Sequence, residues 1–126
     1  DRRVLAALEQ EASALGIAYV RGITVSSAGF FAEQGRGVAR VGSTLPRLLD
    51  SLEKMDICRT GLKIENMEME AGILLHFLGG VGYHAAAICV VVNKRHEGTF
   101  LTDYRHHVFE AARIALRALR QCSDDR

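Results

Sequence analysis

Two glutamates one residue apart, Glu68 and Glu70, stand between two apolar segments. The segment before them alternates as a strand does, and residues 71–78 after them have the character of a helix. A helix start stabilises one acidic side chain by about 0.3–1 kcal/mol, through its unpaired N–H groups and partial positive charge. The simplest interpretation is therefore an acidic helix start and nothing more. The alternative is a ligand site, because α/β sheets bind ligands where their strands end.

The composition is that of an ordinary globular protein. A chain of 126 residues allows one domain at most, and 48% apolar with 25% charged residues is typical of soluble domains. A net charge of +1 gives no reason to expect nucleic acid or an anionic membrane as a partner. We expect a cytoplasmic protein, because the sequence opens on a helical pattern without a signal peptide and no apolar run reaches the roughly 20 residues of a spanning helix.

The three cysteines, Cys58, Cys89 and Cys122, are odd in number and have no CxxC spacing. This pattern favours free thiols in a reducing compartment. Cys89 lies inside an apolar run, which predicts a small core residue.

Hydrophobic periodicity predicts the element order α, β, α, β, α, β, α. The third predicted helix is residues 71–78. The apolar face of the first helix is Val4, Leu5, Leu8, Ala12 and Leu15. That of the second helix is Leu48, Leu49, Leu52 and Met55, and that of the last helix is Val108, Ala112, Ala115 and Leu119. The predicted strands are residues 17–25, 62–69 and 85–92, with a further short strand at 38–41 and a polar loop at 93–100. The second helix is predicted to begin with Thr44 as its N-cap and Pro46 in its first turn. The predicted N-cap of the last helix is Thr102 or Asp103.

This order predicts a layered α/β fold. Residues 85–92 are apolar without interruption, as in a strand covered on both faces of a parallel sheet. Such a strand needs a neighbour on each edge, and the predicted elements would leave edges exposed. We therefore expect the chain to be the carboxyl-terminal part of a larger α/β domain.

Three segments together resemble the nucleoside phosphorylase superfamily, and within it most closely the uridine phosphorylases. They are residues 22–36, with the pattern F-x-x-x-Q-x-R, residues 66–70, with the triplet E-M-E, and residues 91–95, V-V-N-K-R. The resemblance implies a layered sandwich with a mixed, partly parallel central sheet flanked by helices. Residues 1–126 would then be the carboxyl-terminal part of a single domain of this kind.

The first segment resembles the family's uracil-reading loop, with Phe30, Gln34 and Arg36 at matching spacing. Uracil presents a carbonyl, an N–H and a second carbonyl along one edge, which an amide and a guanidinium together can satisfy. A different base would leave those groups unpaired, and this gives discrimination. Phe30 would stack on the base or the ribose. Taken alone, the loop would be interpreted as a flexible polar turn with one buried aromatic residue.

The second segment matches the family's ribose-binding signature. The resemblance implies that Glu70 accepts hydrogen bonds from the ribose hydroxyls, that Met69 packs beneath the sugar and that Glu68 also faces the site. Phosphate would be the nucleophile and co-substrate, and no covalent intermediate, cofactor or metal is expected. A fixed carboxylate and donors to the departing base both act on charge that develops in the transition state. The five histidines, His76, His84, His96, His106 and His107, show no spacing typical of metal ligands.

The third segment bears on the choice of base. Purine-specific members have Ser-Asp here, the aspartate protonating the purine, whereas this chain has Asn93-Lys94, which favours a pyrimidine. Lys94 or Arg95 could reach the base through water, or could simply be solvated. Residues 28–29 and 32–33, Ala-Gly and Ala-Glu, depart from the family's Asp-Thr and Pro-Gly, so the substrate range stays open.

The family's phosphate-binding arginines and glycine loop, and a histidine lent by a neighbouring subunit, come from its amino-terminal half and have no match in this sequence. We therefore expect a pentosyltransferase that needs an upstream half or companion chain and forms a homodimer or higher oligomer. Two alternatives are a nucleosidase of the same superfamily, which uses water, and a non-catalytic nucleoside-binding fragment.

Overall fold

A computed structural model describes residues 1–37, 40, 42–43, 45, 47–57 and 59–124. The helices are α1 (Arg2–Ala14), α2 (Leu48–Glu53), α3 (Ala71–Gly80) and α4 (Arg105–Asp124), and the strands are β1 (Ile23–Ser26), β2 (Ile64–Glu68), β3 (Asn93–Lys94) and β4 (Thr99–Phe100). A 3₁₀ turn spans Ala32–Gln34. The chain forms two compact units, which we call the helical unit (Asp1–Tyr19 with Phe77–Arg126) and the sheet unit (Val20–His76).

The helical unit has its core between α1 and α4. The buried residues are Ala7, Leu8 and Ala12 from α1 and Ile114 and Ala118 from α4. Three of these five are alanines, and small side chains allow two helices to approach closely. The predicted α1 is confirmed, with Leu8 and Ala12 on its buried face.

The last helix buries a different face from the predicted one. Val108 and Leu119 are 46% and 58% exposed, whereas Ile114 and Ala118 are 3% and 1% exposed. The two faces share Ala115, which packs against the core, and are otherwise about one residue apart, so periodicity alone could not choose between them. The helix begins at Arg105, after both predicted caps.

The sheet unit contains the parallel pair β1–β2. Thr24 pairs with Asn66, Val25 with Met67 and Ser26 with Glu68. The predicted strand 62–69 is confirmed by β2, but the strand predicted at residues 17–25 is limited to Ile23–Ser26, since Tyr19 and Val20 are exposed and outside it. Because Ser26 lies opposite Glu68, both strands end at the same edge.

The buried strand predicted at residues 85–92 is wrong. These residues form no strand, Val91 is 54% exposed and Cys89 is exposed rather than in the core. An apolar run becomes a strand only where another strand pairs with it, and no described strand does so. The predicted polar loop at 93–100 instead contains the short antiparallel hairpin β3–β4. The described fold is a small α/β arrangement of a two-stranded parallel sheet, a hairpin and four helices.

The second helix is shorter than predicted. α2 ends at Glu53, and Met55, predicted to lie on its apolar face, follows the helix and is 49% exposed. The predicted cap Thr44, the predicted first-turn residue Pro46, Cys58 and most of the strand predicted at 38–41 lie outside the described residues. Within the described ranges, none of the helices has the length and hydropathy needed to cross a bilayer.

Candidate functional site

The carboxylate of Glu68 closes the junction between β2 and α3. Its Oε2 accepts hydrogen bonds from the backbone N–H groups of Glu70, at 2.7 Å, and of Ala71, at 2.5 Å. Its Oε1 accepts a hydrogen bond from the Ser26 hydroxyl. Both oxygens are therefore engaged, and Glu68 performs the role that an acidic residue has at a helix start, pairing N–H groups that the helix leaves without partners.

Ser26 connects the end of β1 to the first turn of α3. Its hydroxyl donates to Glu68 and accepts from the backbone N–H of Gly72, at 2.7 Å. The approach is close, because a Cβ atom on Gly72 would lie 2.8 Å from the Cβ of Ser26. A glycine at position 72 is therefore what lets the strand end and the helix start share one hydrogen-bonded turn.

These hydrogen bonds set the protonation of Glu68. Partial burial raises the pKa of its carboxyl, but the hydrogen bonds from Ser26, Ala71 and Glu70 outweigh burial and lower the pKa below its ordinary value of 4.5. Glu68 is consequently ionised at neutral pH. This excludes it as a proton donor there and makes it a fixed negative charge in the turn.

The second glutamate of the triplet has a different environment. Glu70 is exposed, and the hydrogen bond that its carboxylate accepts within the described chain comes from the Met69 N–H, at 3.1 Å. A carboxylate has about four acceptor positions, so this one contact leaves capacity for hydroxyl ligands. Met69, at 42% exposure, lies beside it.

The loop after β1 is held by Arg36 and the aromatic residues. The Nε of Arg36 donates to the Phe30 carbonyl oxygen at 2.9 Å, and its guanidinium carbon lies 4.1 Å from the centre of the Phe30 ring. Gly35 has a φ of 68°, which turns the chain back so that Arg36 can reach Phe30. Phe31 packs edge-on against Phe30 with the ring centres 5.3 Å apart. Phe30 is 48% exposed, so this cation–π pair is open to solvent.

Gln34 links this loop to the glutamate turn. Its Nε2 donates to the Ser27 hydroxyl at 3.0 Å, and the Ser27 backbone N–H donates to the Glu68 carbonyl oxygen at 2.9 Å. The structure therefore brings the loop with Phe30, Gln34 and Arg36 to the same strand edge as Glu68–Glu70. Gln34 itself is only 4% exposed.

The sequence patterns did not identify Ser26 and Ser27, the two serines at the end of β1, as residues of the site. The signal available was their position: hydroxyl side chains directly after a strand, at the edge where the two strands end together.

The third predicted group belongs to the helical unit. Lys94 lies in β3 and pairs with Glu97, the Nζ and Oε1 atoms being 3.4 Å apart, with 66% of the lysine side chain exposed. Exposed pairs of this kind contribute about 0–1 kcal/mol to stability. Arg95 follows in the hairpin turn. A role for either residue in binding a base stays a prediction.

Comparison with protein families gives the assignment that this geometry leaves open. A family model described as the phosphorylase superfamily matches residues 1–120, which includes all three segments singled out in the sequence. No curated protein and no solved structure matches the chain. The match covers nearly the whole chain but does not distinguish uridine phosphorylases from other members. The chain belongs to the phosphorylase superfamily, that of the nucleoside phosphorylases.

Proposed function

We propose that this chain is part of an enzyme that cleaves a pyrimidine nucleoside, uridine or deoxyuridine, by phosphorolysis. Membership of the superfamily indicates nucleoside phosphorylase or nucleosidase chemistry. The observation that carries the proposal is the Gln34–Ser27–Glu68 connection, because it holds the loop proposed to read the base against the turn proposed to bind the sugar. Membership of the superfamily does not by itself imply that this loop and this turn lie together.

In this proposal one glutamate binds the ribose and the other positions it. Glu70 accepts hydrogen bonds from the ribose hydroxyls, since its carboxylate is exposed and has acceptor capacity to spare. Glu68 is a positioning residue, because both of its oxygens hold the turn from which Glu70 projects. Met69 supplies an apolar surface for the sugar.

The proposed reaction needs no covalent enzyme intermediate. An oxygen of inorganic phosphate forms a bond to C1′ as the C1′–N1 bond breaks, and the electron pair of that bond leaves with uracil. Negative charge spreads to the uracil carbonyl oxygens, where the planar N–H donors of Arg36 stabilise it. The uracil anion then takes a proton from water, and the proton that the new phosphate ester carries over from hydrogen phosphate neutralises the hydroxide. The products are uracil and ribose 1-phosphate.

Base recognition by Gln34 requires the loop to move. An amide has two N–H donors and one carbonyl acceptor, and Ser27 accepts from the amide nitrogen. The remaining groups match the edge of uracil, but at 4% exposure Gln34 cannot meet a base as it lies. The proposal therefore includes an opening of residues 30–36 when the nucleoside binds.

The preference for a pyrimidine rests on Asn93 and Lys94. Neither side chain is a carboxylic acid, so this segment lacks the aspartate that, as the resemblance implies, protonates a departing purine in purine-specific members. Uracil leaves as an anion that donors can stabilise, and it needs no such acid.

We further propose that a preceding part of the same domain completes the enzyme, supplying the phosphate site, and that the whole acts as a homodimer or higher oligomer. The apolar side chains of α3 support this, since Ile73 is 69% and Phe77 62% exposed. An apolar helix of a folded domain is normally covered.

The test is an assay of the full-length protein with uridine, deoxyuridine and thymidine, each with and without inorganic phosphate. Phosphate-dependent release of the base, with stoichiometric ribose 1-phosphate from uridine or 2-deoxyribose 1-phosphate from the deoxynucleosides, is the expected result. Release without phosphate would establish a nucleosidase instead. Binding of uridine by calorimetry without turnover would show a non-catalytic binding protein, and turnover of purine nucleosides alone would overturn the pyrimidine assignment.

A further inference from the structure

A second group of polar side chains lies in the helical unit, near the start of α4. It consists of His106, His107 and Glu110, and one ligand atom from each lies within 4.8 Å of those of the other two. Glu110 is four residues after His106 and three after His107, the two spacings that put side chains on the same face of a helix. The carboxylate contacts the His107 ring and has a ligand atom of His106 within 4.8 Å, although the histidines are adjacent in the chain.

One ligand–ligand distance in the group fits a metal coordination sphere, and the others are at most 4.8 Å. Zn²⁺ with ligands at about 2.0–2.1 Å in a tetrahedron places neighbouring ligand atoms about 3.4 Å apart. The Nδ1 of His107 and an Oε2 of Glu110 are 3.2 Å apart, so this pair already has the required spacing. The rings of His106 and His107 have centres 3.7 Å apart, which puts the second imidazole within a side-chain rotation of the same point.

The group is accessible to an ion from solvent. The side chains of His107 and Glu110 are 42% and 36% exposed, and His106 is exposed. Two imidazoles and one carboxylate suit Zn²⁺, Cu²⁺ or Ni²⁺, whereas Mg²⁺ and Ca²⁺ prefer sets of oxygen ligands, of which this group supplies only the Glu110 carboxylate. The competing explanation is an ordinary His–Glu pair on a helix surface, which needs no ion.

We propose that His106, His107 and Glu110 bind one divalent transition-metal ion, with Zn²⁺ the preferred occupant and water completing its coordination. The proposed nucleoside site uses none of these residues, so this ion has no part in the proposed phosphorolysis. An ion joining three positions of the first turns of α4 would hold that end of the helix together.

The test is a calorimetric titration of the metal-stripped chain, its cysteines alkylated, with ZnCl₂ and separately with MgCl₂. We expect one Zn²⁺ per chain and no Mg²⁺ binding. Glu110→Gln and His106→Ala should each weaken Zn²⁺ binding by at least the roughly 10- to 100-fold that loss of an outer-shell partner costs. His96→Ala is the matched control, because His96 is an exposed histidine in the β3–β4 hairpin turn, outside the group, and it should leave the affinity unchanged.

Imidazole resonances give a readout that does not depend on affinity. Zn²⁺ should shift the ring nitrogen signals of His106 and His107 and leave those of His96 in place. The proposal is wrong if His96→Ala weakens binding as much as His106→Ala does, or if Zn²⁺ binds equally well when both His106 and Glu110 are replaced. Circular dichroism shows whether each variant folds. Glu110→Gln preserves the size of the side chain, so it tests the proposal if His106→Ala does not fold.

Discussion

The carboxylates of Glu68 and Glu70, two positions apart, differ in their hydrogen bonding and exposure. Glu68 has both oxygens occupied by the turn it holds, while Glu70 is exposed with one weak contact to its neighbour's N–H. The difference follows from the parallel register, which places Glu68 opposite Ser26 and leaves Glu70 beyond the end of the sheet. A structural role for the first and a ligand role for the second can therefore be tested separately.

Glu70→Gln should lower kcat by orders of magnitude in the full-length protein while leaving the melting temperature within about 2 °C. An amide in place of the carboxylate removes the charge that faces the developing cation of the sugar and half of the acceptor capacity. Glu65→Gln is the matched control, an exposed glutamate in β2, the strand that precedes the turn, and should behave as wild type. Equal activity of the two variants would remove Glu70 from the site.

Glu68 should make stability depend on pH in the acid range. Its pKa is lowered in the folded state, so its stabilisation is complete above the ordinary value of 4.5 and is lost as the pH falls through the lower folded value. Glu68→Gln should therefore be less stable than wild type at pH 7, and the gap should close below pH 4.5. Denaturant unfolding at a series of pH values measures this, and a constant gap at all pH values would contradict the assigned cause.

Arg36 should act on base recognition. Arg36→Ala should raise KM for uridine, lower kcat and reduce the preference for uridine over cytidine, because donors that hold the uracil edge and stabilise its developing charge are lost. Arg36→Lys keeps the charge but not the planar fork, and should recover little of the preference. Recovery of full activity by lysine would show that charge alone matters and would leave the loop without a reading role.

At the scale of elements, the start of α3 depends on a close approach. Gly72→Ala should be destabilising by about 1 kcal/mol, since overpacking costs about 1–3 kcal/mol and alanine returns only about 1 kcal/mol of helix propensity. Gly79→Ala lies in the same helix with open space around the position and should instead be neutral or stabilising. Thermal unfolding of the two variants compares them directly, and a stable Gly72→Ala would mean that Ser26 and α3 are farther apart in solution.

Elements differ in how far the sequence determines them. The first helix and β2 follow from periodicity because one pattern clearly dominates each. The last helix carries two apolar stripes, and only the partner α1 decides that Ala118 is buried and Leu119 is not. Residues 85–92 have the composition of a strand, yet strand formation depends on a neighbour that no local pattern reveals.

Only part of the candidate site could be predicted from the sequence, because local patterns are visible there and contacts between distant segments are not. The spacing of Phe30, Gln34 and Arg36 and the E-M-E triplet are local patterns, and each can be read directly. The contacts that join them pass through Ser26 and Ser27, which depend on the pairing of β1 with β2. The proposed metal-binding group of His106, His107 and Glu110 combines two residue types, so the spacing of histidines alone does not reveal it.

At the scale of the whole molecule, the two units have very different cores. The helical unit buries five apolar residues between two helices, whereas the buried residues of the sheet unit within the described chain are Gln34 and Ala71. A two-stranded sheet is marginally stable without a layer to cover it. The sheet unit, which holds the proposed nucleoside site, should therefore be the less stable of the two.

Hydrogen exchange should show this difference and test its proposed cause. In the 126-residue chain, amides of α1 and α4 should exchange more slowly than those of β1 and β2, since protection reflects the free energy of local opening. In the full-length protein, if a preceding part covers the sheet as we propose, protection of β1 and β2 should rise at least tenfold while that of α1 and α4 changes less. Equal protection of β1 and β2 in the two forms would mean that nothing upstream packs on the sheet, and the proposed phosphate site would then have to be sought within these residues.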